Sequence, residues 1–243
     1  MHTAIAIFEL ASWWWLVLIA AGVAAGLLGA SLDSVSRLAK RWGWEYEDDD
    51  DGPVSLRGMG CADLPQLSIL RRRCRMLLSG RYEGVETAIV NLRPRTEIGT
   101  GATLACFRLP GRSLPRFQFT STSEGGRDSQ LPSLDPGIVL KRFGLMDEGQ
   151  EVRRIRLGEN PAFAKFFEVW LYDSQGEQIL RRVMSREVQD FFMLHRERDW
   201  HVDAAGEWIG VLHKEEMIVS ASKLKVLLKE MRPMYDLFVM ATA

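Results

Sequence analysis

Apolar and polar positions divide the chain into two unequal parts. Residues 10–30 carry no charged side chain and hold leucine, valine, isoleucine, alanine, glycine and tryptophan, with Ser12 the one hydroxyl. At about 1.5 Å per residue, about 20 residues cross a hydrocarbon core of about 30 Å, and a helix satisfies there the backbone hydrogen bonds that lipid cannot. The run predicts one transmembrane helix. Trp13, Trp14 and Trp15 crowd its start, as indole rings do at a membrane–water interface. No Lys or Arg precedes the run, whereas Arg37, Lys40 and Arg41 follow it. Basic flanks stay on the cytoplasmic side, so the expected topology is an inner-membrane protein with its N-terminus outside and its C-terminal domain in the cytoplasm. A cleaved signal peptide would need a positive n-region, and a buried core helix would be shorter or carry a polar face. Gly22 with Gly26, and Ala25 with Gly29, form small-xxx-small pairs that offer a face for a homodimer.

Beyond the anchor the periods change. Leu32, Val35, Leu38 and Trp42 continue a helical stalk to residue 44. Residues 45–53, with four consecutive aspartates and then Gly52-Pro53, predict an acidic linker. The aspartates lack the alternating ligand spacing of a calcium loop. Residues 54–243 predict a soluble α+β domain, with a subdomain boundary expected near the Ser/Gly/Asp/Pro-rich stretch 121–136. Strands are expected at 76–82 and 85–92 around Glu83-Gly84, then at 100–109 and 116–121, the four forming an antiparallel meander. Further strands are expected at 152–157 and 167–172, with a helical turn at 161–166 between them. Apolar residues at i, i+3 and i+4 predict helices at 178–184 and 187–196, the second capped by Ser185. Residues 200–202 and 207–213 read as a hairpin. A last helix starts at 222, and Pro233 is expected to kink or restart it.

Composition narrows the chemistry. The net charge is −1, which gives no general pull toward nucleic acid. The three cysteines, Cys61, Cys74 and Cys106, match no metal or redox spacing and read as free buried thiols in a reducing compartment. The run Arg71, Arg72, Arg73 and Arg75 is the candidate contact for anionic lipid headgroups or a partner, set against a solvated run paired with the aspartates. His195, Glu197, Asp199 and His201 alternate, but helical zinc ligands sit four apart and these histidines are six apart across a helix end. No nucleophile elbow, P-loop or dinucleotide fingerprint is present. No catalytic, cofactor-binding or metal-ligating residue is therefore expected.

The layout resembles a bacterial family of single-pass membrane proteins whose cytoplasmic α+β domain has no assigned function. The residues carrying the resemblance are Trp42-Gly43-Trp44-Glu45-Tyr46, Gly80-Arg81-Tyr82-Glu83-Gly84, Leu114-Pro115-Arg116-Phe117, and 161–173 with Phe163, Phe166-Phe167 and Tyr172-Asp173. The resemblance implies an anchored domain and supplies no catalytic residues. The expectation is a membrane-tethered, cytosol-facing, non-catalytic interaction or regulatory module with a protein partner. The alternatives are a membrane-bound enzyme whose site assembles in space and a module that contacts lipid headgroups.

Overall fold

A computed structural model of the chain describes residues 35–48, 54–56, 59–65, 67, 74–93, 101–122, 152–158, 160–173, 175–213, 217–218 and 220–242. The expected membrane anchor, with Trp13, Trp14 and Trp15, lies outside them, as do Arg71, Arg72 and Arg73. Among the described residues no helix is long and apolar enough to cross a membrane.

The strands expected from 76 onward are present, and an edge strand precedes them. They are β1 (Glu45–Asp48), β2 (Cys74–Tyr82), β3 (Val85–Leu92), β4 (Ala102–Arg108), β5 (Leu114–Ser121), β6 (Arg153–Ile155), β7 (Phe167–Leu171), β8 (His201–Gly206) and β9 (Trp208–His213). Together they form one nine-stranded sheet in the order β1-β2-β3-β4-β9-β8-β5-β7-β6. Every neighbouring pair is antiparallel. Among the described residues the helices include α1 (35–42), α2 (Phe163–Phe166), α3 (Glu177–Val183), α4 (Arg186–Leu194) and α5 (Ala221–Ala241). The fold is α+β with a large antiparallel sheet.

The β2–β3 hairpin closes as the sequence predicts, through Glu83 at φ 48° and Gly84 at φ 83°. Two left-handed residues give a turn whose twist matches that of the strands.

Four expectations change. The acidic linker was expected to open at Glu45, yet Glu45–Asp48 is the edge strand β1, paired with β2 from Glu45↔Ser79 to Asp48↔Met76. Its charged side chains suit an edge, where they discourage pairing with other chains. Next, β5 does not extend the meander. The β8–β9 hairpin sits between β4 and β5, so β4 pairs with β9 and β5 with β8. Glu207, in the tight turn between β8 and β9, fixes this insertion. Its carboxylate accepts from Arg108 Nε at 2.7 Å and from the Gly111 N–H at 2.7 Å, and its carbonyl accepts from the Leu109 N–H at 2.6 Å. Third, α5 does not restart at Pro233 but continues through it, with Met231, Met234, Tyr235 and Phe238 buried on both sides of the proline. Fourth, Ser185 precedes α4, but its hydroxyl donates to the Glu187 carboxylate at 2.7 Å and caps no backbone N–H.

The two faces of the sheet meet different surroundings. On one face Ile89, Phe107, Ile209, Val202, Phe117, Phe119, Val169 and Leu171 pack under the helices in one continuous core. Phe119 meets Phe192 of α4 edge-on at 4.6 Å, and Phe163 of α2 stacks on Phe167 at 4.6 Å. A polar clasp ties the entry of α5 to the sheet. Asn91 Nδ2 donates to the Ile218 carbonyl at 2.9 Å, Thr103 Oγ1 donates to Asn91 Oδ1 at 2.7 Å, and the Ile218 N–H donates to Thr103 Oγ1 at 2.9 Å. Each polar group of this buried trio thus has a partner, as low dielectric demands.

Candidate interaction face

The opposite face is split into two halves. Over β2, β3, β4 and β9 it is apolar and covered: Leu56, Cys61, Leu64 and Leu67 pack on Leu77, Ala88, Val90, Leu104, Cys106 and Trp208. Cys61 belongs to a short 3-10 turn, Gly60–Asp63. The Trp208 ring occupies the place a side chain at Gly60 would need, so the turn can seat closely.

Over β8, β5, β7 and β6 the same face turns polar. The register aligns its side chains in rows. Asp203 of β8 lies opposite Gln118 of β5, Gln118 opposite Trp170 of β7, and Trp170 opposite Arg154 of β6. A second row runs His201–Thr120–Glu168. Arg116 and Tyr172 lie beyond the first row. Residues directly opposite in antiparallel strands have Cβ atoms about 4.5–5.5 Å apart, so these groups form one lattice.

Within the lattice the groups pair with one another. Tyr172 Oη donates to Gln118 Oε1 at 2.7 Å, and the Arg116 guanidinium lies 5.7 Å from the centre of the Tyr172 ring. Arg154 reaches Glu168 at 3.1 Å, and His201 Nε2 lies 3.7 Å from the Asp199 carboxylate. The seam between the halves runs along Asp203, which is fully buried, and Gly210, its partner on β9. Gln118, Thr120, Glu168, Trp170 and His201 are half-buried.

The sequence pattern held this face in its polar half. In Arg116-Phe117-Gln118-Phe119-Thr120 and Glu168-Val169-Trp170-Leu171-Tyr172, the apolar members announce the core. The intervening residues line the other side of the sheet, as a period of two requires. What a sequence does not supply is the strand order that sets β5 between β7 and β8.

The residues singled out in the sequence fall elsewhere. Arg37, Lys40 and Arg41 are exposed on α1, and Arg75 is exposed at a register shift near the start of β2. The two histidines of the alternating run separate. His195 ends α4, edge-on to Phe191 at 4.8 Å with Nδ1 3.9 Å from Glu197, whereas His201 opens β8 on the polar face. Among the described residues no group of three or more His, Cys, Asp and Glu is arranged to hold a metal ion. The cysteines are free thiols, and all three are buried.

No protein-family model matches the chain, and no curated protein matches it. Among solved structures the chain is similar to the mycobacterial trehalose monomycolate transport factor A, TtfA, with a TM-score of 0.50 and 12% identity over 86% of this chain and 94% of that one, a likeness of fold.

Proposed function

We propose that the chain is a single-pass, membrane-tethered module of the bacterial type described above, and that its cytosol-facing domain binds a protein partner and carries out no chemistry of its own. The observation that carries this reading is the change of character across one sheet face. One half is apolar and covered by Leu56, Cys61, Leu64 and Leu67, and the other carries Trp170 and Arg154 opposite each other in register, with Arg116 beyond them over the buried Tyr172 ring. Tryptophan, tyrosine and arginine are the side chains that most often anchor protein interfaces, because each combines a large contact area with a polar tip. The apolar run 10–30 and the basic residues after it supply the tether and its orientation.

The test uses the full-length chain in its own membrane, with a photocrosslinking residue placed at Gln118 or Thr120, and in a control at Lys229 on the exposed side of α5. A discrete protein adduct from the two sheet positions, absent from the Lys229 control, is the expected result. Adducts of equal yield from Lys229, or none from the sheet positions, would overturn the assignment of the face. A variant lacking residues 1–30 that stays in the membrane fraction would overturn the tether.

A further inference from the structure

The sequence predicts a stalk up to residue 44 that carries the domain on its end. The structure makes residues 35–44 part of the domain instead. Val35, Leu38 and Ala39 of α1 are buried in the main core, and Trp42 packs against it. The helix ends at Gly43, whose φ is 69°, and the Trp44 N–H donates back to the Ala39 carbonyl at 2.8 Å. Trp44 then fastens this end to β2. Its Nε1 donates to the Arg81 carbonyl at 3.1 Å, and its ring fills the place a side chain at Gly80 would need. The Trp42 ring lies 5.3 Å from Trp44 and 6.0 Å from Tyr82. β1 follows at once, paired with β2. The chain from 35 to 48 is thus packed into the domain without a linker.

The outer side of α1 has a single charge sign. Arg37, Lys40 and Arg41 stand at i, i+3 and i+4, which places them on one helix face, and all three are exposed. Residues 35–42 contain no acid, and residues 31–34 add one, Asp33.

We propose that this face of α1 is the foot of the domain and rests on anionic phospholipid headgroups beside the anchor. The proposal rests on the tether of residues 10–30 and adds where on its surface the domain meets the membrane. Charge complementarity selects the occupant, and reach delivers it. Five residue steps separate Ala30 from Val35. They span about 8 Å as helix and at most about 17 Å fully extended. The headgroup layer is itself about 5–7 Å thick, and the screening length at physiological salt is about 8 Å. With the anchor in place, the first turn of α1 therefore stays within about two screening lengths of the leaflet. Because the inner side of α1 is buried in the core, lipid contact on its outer side holds the whole domain against the membrane. The foot stands at the β1–β2 end of the strand order. The polar half of the sheet face lies over β8, β5, β7 and β6, at the other end, and stays open to a partner.

The experiment follows the reactivity of Lys40 in the full-length protein. The protein is placed in nanodiscs of phosphatidylcholine alone, or of equal parts phosphatidylcholine and phosphatidylglycerol. A brief pulse of an uncharged acetylating reagent is read by peptide mass spectrometry, with the exposed Lys229 of α5 as internal reference. Lys40 should react about fivefold more slowly in the anionic discs, the factor that one basic residue near such a surface contributes. Salt at about 1 M, where the screening length is about 3 Å, should remove the difference. Replacing both exposed arginines, Arg37→Gln with Arg41→Gln, should also return Lys40 toward its rate in phosphatidylcholine and leave Lys229 unchanged. A protein that stays on the discs but whose Lys40 reacts alike in the two lipids would overturn the foot and leave the tether standing. Lys40 protected alike in both lipids and at high salt would also overturn it, in favour of a protein or a second copy over α1. A protein that is not recovered with the discs would overturn the tether, and the foot with it.

Discussion

At the scale of single residues, Glu207 fixes more of this fold than its half-buried place in a turn suggests. Its carboxylate holds Arg108, and Arg108 also reaches Glu86 at 2.7 Å, so one guanidinium joins the starts and ends of β3, β4 and β9. The hydrogen bond from Arg108, with a second from the Gly111 N–H, holds the Glu207 carboxyl below its ordinary value of 4.5. The sign of the consequence follows from linkage. The folded state binds this proton more weakly than the unfolded chain does, so the stabilisation is complete above about 4.5 and is lost as pH falls through the lowered value. Glu207→Gln should therefore unfold more readily than the parent at neutral pH and show a shallower loss of stability on acidification. Thermal melts of both proteins between pH 7 and 3 check this. Parallel curves would mean that the carboxylate contributes nothing specific to the insertion of the hairpin.

At the scale of elements, the legibility of the sequence depends on whether a signal is local. The β2–β3 turn, the α2 turn before β7 and the α3–α4 pair were readable because Glu83-Gly84 and the i, i+3, i+4 apolar spacing are contained within a few residues. Pro233 misled because its local effect is opposed by distant contacts. A proline inside a helix removes one backbone hydrogen bond and crowds the preceding turn, at a cost of about 3 kcal/mol. Here that cost is met by an apolar face. Leu227, Leu228, Met231, Met234, Tyr235 and Phe238 are all buried, and Tyr235 lies 5.9 Å from Phe107 of β4. Proline itself is exposed, so a smaller residue leaves no cavity. Pro233→Ala should then stabilise the domain by about 1–3 kcal/mol, by restoring the bond to the Lys229 carbonyl and removing the clash. Denaturant unfolding measures the change. An unchanged or lowered midpoint would mean that the helix depends on the distortion at this position.

At the scale of the whole molecule, topology was the least legible property, and the reason is the same in another form. Nothing within 102–121 indicates that two strands from the far end of the chain will separate β4 from β5. The polar face went unseen for that reason: Gln118 and Trp170 become neighbours only once β5 and β7 pair, and Asp203 joins them only once β8 arrives. The strand order also bears on the expected boundary near 121–136. A chain cut there would separate β1 to β5 from β6 to β9. Without β9, β4 has a bare edge and Leu104, Ala105 and Phe107 lose their neighbours Leu212, Val211 and Ile209; without β8, β5 retains no partner in its own fragment. The second fragment fares no better, since the buried face of α5 rests partly on Phe107 and on the Asn91–Thr103 clasp at Ile218. Burial that is shared between the two pieces stabilises neither alone. Fragments 35–122 and 152–242, expressed separately, should each lack dispersed amide proton resonances, and mixing them should restore dispersion. The intact domain should unfold in one transition, with fluorescence and circular dichroism coincident. A first fragment that folds by itself would show that β2, β3 and β4 form an autonomous meander, to which the interleaved strands add a second unit.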